Sequence, residues 1–458
     1  MIDQFRAFRA EKIVGEDSYE LILDSDATII VGPNGTGKST FLNVFYLFIT
    51  RQWSRLLQYK FSKLSLQLEN QEIAISKADL FSVGDGSFSK LTTRVQSSLA
   101  RLGDTRYLSQ FLSGANFSPH EATIVASLLD LPPEELSSFR QFILRQTKDL
   151  FEGSFLEVER RLVEIKLPKV LYLPTYRRIE KDLKSILPDI EERMRSRAVE
   201  GSMFARQGQS FAEIVSFGME DIGKMIAEFT AKLNSVAKNK SNSAAQEYIR
   251  DMVQGRIKDY SIGSIRDIPP AIVQEFVDRL DNQLLSLDDK QRLRADIDKL
   301  SKRSVGKPTK DMQYLGFFVE KMLQVYLDLK GEEAPLVQFA KVVQKYFTNK
   351  VISYNNYNLT IFDLQNNPIQ LNDLSSGEKQ ILSVFAYLLL TSDPSYLVFI
   401  DEPELSLSVP WQKTFLPDIL DTARCKMLLA VSHSPFVFDN DLRGHIVDVR
   451  KLRRDTFN

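Results

Sequence analysis

The chain has 458 residues, 43% of them hydrophobic, enough for two or three domains with a sizeable buried core. Its 59 Lys and Arg nearly balance 60 Asp and Glu, so no global basic footprint marks a nucleic-acid binder, and only local basic clusters stay open. The single cysteine, Cys425, excludes an internal disulfide framework and a CxxC metal site; within the apolar run CKMLLAV it is expected to be a buried, inert thiol.

From the N-terminus, MIDQFRAFRAEK has no apolar signal core, and FRAFRAEKIVGEDSYELIL reads as a β-hairpin. ATIIVG follows as a short β-branched run, the pattern of a buried strand. Gly32-Pro33-Asn34-Gly35-Thr36-Gly37-Lys38-Ser39-Thr40 then fits G-x-x-x-x-G-K-[ST]. Beyond it Phe41, Val44, Phe45, Phe48 and Ile49 recur at helical spacing, so the loop lies between a strand and a helix. Gly35 and Gly37 let the backbone curl until successive N–H groups face one concavity, and the helix adds the positive end of its dipole. Lys38 brings a point charge to β- and γ-phosphates, and Ser39 a hydroxyl for Mg²⁺. Even the longest apolar stretches, such as residues 41–49, fall far short of a membrane span, and a soluble, cytoplasmic protein is expected.

KFSKLSLQLENQEIAISKADL alternates over two short strands that would finish the sheet of the first lobe, and SVGDGSFS reads as a loop. Helical spacing covers about 93–164 with a break at Pro132-Pro133, and PKVLYL is a sheet strand running into Pro174-Thr175-Tyr176-Arg177-Arg178. Three apolar stripes follow: Ile179, Leu183, Ile186, Ile190 and Met194, interrupted by Pro188; then Met219, Ile222, Ile226, Phe229 and Leu233; then residues 312–329. SVAKNKSNSAAQ (235–246) and SKRSVGKPTK (301–310) look like connectors between them. No stripe sustains many heptads, so no extended coiled-coil arm is expected. Arg177, Arg178, Lys181, Lys184, Arg193, Arg195 and Arg197 form a basic cluster, either a solvated helix face or a patch that touches phosphates without reading bases.

Strand signals return at KVISY, NLTIFDL and PIQL and lead into Leu374-Ser375-Ser376-Gly377-Glu378. Asp373 or Ser375 can cap the helix that starts there, and the N–H groups of Ser376 and Gly377 with the Ser375 hydroxyl make an anion-binding end. YLVFIDE is a buried strand ending in two carboxylates with separate jobs: Asp401 to hold Mg²⁺ through water, and Glu402 to polarise an attacking water as general base. MLLAVSH is another strand, with His433 just past its end, where an α/β sheet collects ligand groups; a neutral imidazole there can contact a γ-phosphate. Of the other two histidines, His445 reads as a surface turn residue and His120 as a polar loop residue.

The order phosphate loop, LSSGE, strand-Asp-Glu and Ser-His resembles the ABC-type ATPases, whose signature is Leu-Ser-Gly-Gly-Gln. PELSLSVPWQ resembles the loop after the acidic strand in their soluble branch, which holds the chromosome-maintenance, recombination and overcoming-lysogenization-defect (OLD) ATPases. The resemblance implies an α/β, two-lobed head with a helical insertion between phosphate loop and signature. It implies Mg-ATP bound between two copies, with Ser375 and Gly377 of one copy touching the γ-phosphate held by Lys38 of the other. The expected division is 1–92 for the N-terminal head part, 93–164 for a helical segment, 165–178 for a sheet strand and loop, 179–344 for the insertion and 345–458 for the C-terminal head part. The family's metal-sensing glutamine has no counterpart in 165–178, where Thr175 or Arg177 would stand in.

YLPTYRRIE, FYLFITRQW and FGMEDIGKMI are similar to ATPase subunits of bacterial anti-phage systems, first PARIS (phage anti-restriction-induced system), then Septu, with retron-associated relatives. That implies a slow ATPase that forms dimers or larger homo-oligomers, answers a phage protein and controls a separate nuclease effector. The alternative is a DNA repair or chromosome-associated ATPase that clamps DNA. A transporter motor is disfavoured by the long insertion and by LSSGE, and one cysteine leaves no zinc hook. Residues 434–458 are too few for the metal-dependent domain of an OLD nuclease, so no nuclease centre is expected after the ATPase motifs.

Overall fold

The computed structural model describes residues 5–77, 79–80, 119–129, 131–147, 154–165, 167–174, 211–213, 219–259, 269–280, 285–301, 309–355 and 357–454. Two compact units divide the chain: 1–218 with 392–458, and 219–391. The basic cluster from Arg177 to Arg197, Thr175, the SVGDGSFS loop and the first stripe after Arg178 lie outside the described residues.

The first unit opens with strands β1 (Phe5–Val14), β2 (Asp17–Ile22) and β3 (Ala27–Val31), then helices α1 (Lys38–Ile49) and α2 (Trp53–Leu56). Strands β4 (Lys63–Leu68) and β5 (Glu72–Ser76) follow, then α3 (Pro119–Leu128), α4 (Leu136–Thr147) and α5 (Ser154–Glu164), then β6 (Lys169–Leu173) and β7 (Phe211–Glu213). His120 falls within α3 rather than in a loop, because Pro119 at the helix start leaves the next residues free to continue it.

The second unit comprises α6 (Met219–Val253), α7 (Pro270–Arg279), α8 (Leu287–Ser301), α9 (Lys310–Gln344), strands β8 (Lys350–Asn355) and β9 (Asn358–Asp363), and α10 (Ser376–Leu390). The expected connector 235–246 is an unbroken part of α6. Its Ala and Lys residues favour helix, and its Ser and Asn side chains can face water without breaking the ladder. Lys240 pairs with Asp328 and Lys321 with Glu247, tying the stretch to α9. The stripe over 312–329 likewise extends to Gln344, through Pro335. Proline is tolerated there by a helix buried along its length, at Leu323, Leu329, Leu336, Phe339 and Val343. PIQL adds only one bridge, Pro368 to Phe362, and no strand.

The chain returns to the first unit as β10 (Tyr396–Asp401), α11 (Val409–Leu420), β11 (Cys425–Ser432), β12 (Ile446–Asp448), α12 (Val449–Leu452) and β13 (Arg453–Arg454). The order β13-β2-β1-β4-β5 makes one sheet, antiparallel throughout, and the order β12-β3-β11-β10-β6-β7 makes a second, parallel throughout. This is the expected α/β class with a parallel sheet, and helices α6 to α9 fall between the phosphate loop and the signature. Strand β10 is buried at every residue, the mark of a parallel strand covered on both faces.

Helix α1 lies between the two sheets. Its Phe45 stacks on Phe8 of β1 (centroids 4.1 Å) and meets Phe399 of β10 edge-on (5.3 Å). Nine of its twelve residues are buried, and burying each large apolar side chain contributes about 2 kcal/mol, so the helix that starts at Lys38 has little freedom to move. At its far end Arg51 pairs with the fully buried Glu159 of α5 at 2.9 Å, and the Trp53 indole donates to the same carboxylate at 2.8 Å.

Candidate functional site

In a parallel sheet all strands end on one edge, and groups placed just past those ends meet there. The register pairs Val31 with Ser432, Val431 with Asp401, and Ile400 with Leu173. Gly32, His433, Glu402 and Pro174 therefore follow neighbouring strand ends along one edge.

The glycine-rich loop is shaped by its own backbone and by what crowds it. Gly35 and Gly37 take left-handed φ of 78° and 81°. A Cβ on Gly37 would stand 2.3 Å from Val14 Cγ2, and one on Gly32 would stand 2.5 Å from Val449 Cγ1. Tyr19 of β2 donates to the Thr36 carbonyl at 3.1 Å, and the Thr36 hydroxyl to the Pro33 carbonyl at 2.8 Å. Asn34 and Gly35 are exposed at the loop tip, while Thr40 is half-buried in the first turn of α1. Lys38 is only 4% exposed, and its Nζ donates to the carbonyls of Gly32 (2.9 Å) and Pro33 (2.7 Å). Burial pushes its pKa below the ordinary lysine value, against the opposing pull of the Asp401, Glu402 and Glu404 carboxylates.

Ser39 Oγ donates to Asp401 Oδ1 at 2.8 Å, joining residues 362 apart in sequence. A hydroxyl beside a carboxylate is a hard-oxygen pair of the kind Mg²⁺ takes along with phosphate oxygens, and Gly35 at the loop tip has open space around it. The residues present thus fit a Mg-nucleotide. Glu402 directly follows in the left-handed region (φ 54°), its N–H bonded to the Val431 carbonyl at 2.8 Å. Such a conformation costs about 1 kcal/mol in a non-glycine residue. It turns the chain at the strand end and brings the Glu402 charge within electrostatic reach of Lys38.

His433 is exposed at the end of β11. What holds it was not legible from the motifs: Glu404, three residues past Asp401. Its Oε1 accepts from the His433 N–H (2.8 Å) and the Ser434 N–H (3.2 Å), and its Oε2 from the Ser432 hydroxyl (2.8 Å). No short motif signals this, since the partners lie 28 to 30 residues further along the chain. His445 is half-buried rather than a free surface residue, with Nδ1 3.1 Å from the Ala27 carbonyl, because β12 lays the turn before it against β3.

Ser375 and Gly377 belong to the other unit. Of the two possible caps, Ser375 is used. Its hydroxyl accepts from the Glu378 N–H (3.3 Å), and Glu378 Oε2 accepts from the Ser375 N–H (2.8 Å), a complete capping box. Glu378 is also paired with Lys350 of β8 at 2.7 Å. Burial pushes the Glu378 pKa up, but the ammonium and the Ser375 bonds outweigh it, leaving the carboxyl below its ordinary range.

Residues 237–439 match the family described as "AAA domain, putative AbiEii toxin, Type IV TA system". That stretch, similar to an AAA-type ATPase domain, takes in Ser375, Asp401, Glu402 and His433 and is under half of the chain; Gly32 to Thr40 lie before it. No curated protein matches. Among solved structures, the chain is similar to the Smc head domain with an extended coiled coil bound to the C-terminal domain of ScpA, from Pyrococcus furiosus. Identity is 11%, coverage 95% of this chain and 91% of that one, and the TM-score 0.33. No described helix is long and apolar enough to cross a membrane.

Proposed function

We propose that the protein is an ATP-binding and ATP-hydrolysing subunit whose nucleotide is held at Lys38, Ser39 and Asp401. The observation that carries this reading is the 2.8 Å contact between Ser39 and Asp401 at the mouth of the glycine-rich loop. Residues 32–40 wrap the phosphates with backbone N–H groups and the Lys38 charge. Ser39 and Asp401 hold Mg²⁺, which when bound neutralises charge on the phosphate oxygens. Glu402 accepts a proton from the attacking water, and His433 stands at the next strand end to contact the γ-phosphate. Ser375, exposed at the start of α10, and the buried Gly377 after it would, by the ABC-type resemblance, act on the nucleotide of a second copy. ATP would then drive copies together and turnover would release them.

The finer reading is an anti-phage sensor of the PARIS or Septu kind that restrains or frees a separate nuclease effector. The match of residues 237–439 to a family described as a putative toxin supports a defensive role over a DNA-clamping repair ATPase.

Turnover by the Glu402→Gln chain tests the core of the proposal. Hydrolysis is expected to fall by roughly 100-fold or more, as for loss of a positioned base, with ATP affinity retained. Lys38→Ala should abolish nucleotide binding instead. Wild-type turnover in Glu402→Gln would remove Glu402 as the base, and undiminished binding by Lys38→Ala would move the nucleotide elsewhere.

A further inference from the structure

We propose that Glu404 is the positioning residue for His433. Its carboxylate fixes the backbone where β11 ends and thereby sets where the imidazole stands beside the Lys38 loop. This deepens the ATPase reading and rests on it.

At the end of β11 the ladder stops, and the N–H groups of His433 and Ser434 need other acceptors. Both find Glu404 Oε1, at 2.8 and 3.2 Å, the Ser434 N–H being shared with Ser432 Oγ at 3.1 Å, while Oε2 takes the hydroxyl of the fully buried Ser432 at 2.8 Å. One carboxylate thus holds three successive residues. The carboxylate is itself held in place. Ser434 Oγ donates to Gln412 Oε1 at 2.7 Å, and Gln412 Nε2 donates to the carbonyls of Leu407 (2.9 Å) and Glu404 (3.4 Å). The ring of bonds closes on Glu404's own backbone.

The acidic strand exit is stitched to the same place from its other side, through the Glu402 N–H to the Val431 carbonyl at 2.8 Å. Asp401, Glu402 and His433 are therefore carried on one rigid double exit from β10 and β11. The imidazole itself is exposed, so the anchor of its backbone decides its position. Displacing a catalytic group by about 1 Å lowers rates on the order of 100-fold.

The experiment uses the full chain with Glu404→Gln, Glu404→Ala, His433→Ala and the double variant Glu404→Ala/His433→Ala. Glu404→Ala should lower kcat roughly 10- to 100-fold while affinity for a fluorescent ATP analogue stays within about two-fold. Glu404→Gln should recover most of kcat, since its amide oxygen can accept both N–H groups and its NH₂ can donate to Ser432. The double variant should be no slower than His433→Ala alone, because the two residues act as a unit. Amide hydrogen exchange at His433 and Ser434 should quicken in Glu404→Ala and stay near wild type in Glu404→Gln. Losses that multiply in the double variant, or unchanged exchange in Glu404→Ala, would overturn the assignment. A wild-type chain with no more hydrolysis than Lys38→Ala would sink the ATPase reading and the catalytic half of this proposal with it. Exchange would still decide whether Glu404 holds the loop.

Discussion

At Gly37 two constraints meet on one residue: a left-handed φ of 81° and a space that Val14 already occupies. Gly37→Ala must strain the backbone by about 1–2 kcal/mol or push the β1–β2 hairpin aside, so ATP affinity should fall by at least about 10-fold in calorimetric titration. Unchanged affinity would show that the loop and the hairpin yield together. Cys425 behaves in the opposite way, as a residue the fold conceals. Burial pushes its thiol up to about 12, so the native chain should resist iodoacetamide at pH 8 and react only after unfolding. Rapid native alkylation would contradict that burial. At this scale the sequence was readable wherever a residue is defined by its near neighbours. Lys38, Ser39, Asp401 and the buried cysteine belong to that class. Glu404 does not, because its meaning comes from Ser432, His433 and Ser434, which only the parallel sheet brings alongside.

Among the elements, α10 shows most clearly how a local signal gains a tertiary partner. Ser375 caps the helix as its position suggests, Glu378 closes the capping box, and Lys350, from β8, holds Glu378 in the buried position where its charge is tolerated. The folded Glu378 pKa lies below its ordinary value of 4.5, so its stabilising contribution is present above 4.5 and fades as pH falls through the folded value. Lys350→Ala leaves a buried carboxylate without its cation and should cost roughly 1–2 kcal/mol at neutral pH. The urea midpoint should therefore drop more at pH 7 than at pH 3; an equal drop at both would mean that the ion pair carries none of the effect. Helix α6 marks the limit of such local reading. Its stretch 235–246 has the polar composition of a linker, yet its Ala and Lys residues favour helix and Lys240 pairs with Asp328 of α9, so the helix runs through unbroken.

On the scale of the whole molecule, the four inner strands of the parallel sheet, β3, β11, β10 and β6, were legible because they carry near-continuous apolar runs, whereas the short outer strands β7 and β12 carry no such run. The sheet's order, β12-β3-β11-β10-β6-β7, was not legible, since order depends on long-range pairing that no periodicity records. The same sheet explains how residues 362 apart come to share one hydrogen bond. In the arrangement proposed, the helix start at Ser375, in a unit separate from Lys38, would serve the nucleotide of another copy. Ser375→Arg should then abolish hydrolysis while leaving ATP binding at Lys38 intact. Mixed with Lys38→Ala, it should leave at most one complete composite site per pair of chains. Normal turnover by Ser375→Arg alone would refute the trans role. The most direct measurement is the native mass of Glu402→Gln with and without Mg-ATP, because that variant should bind nucleotide and fail to release it. One chain mass is expected without nucleotide and at least twice that mass with it; a Mg-ATP-loaded protein that stays at one chain mass while the wild type hydrolyses ATP fully as a monomer would rule out nucleotide-driven pairing.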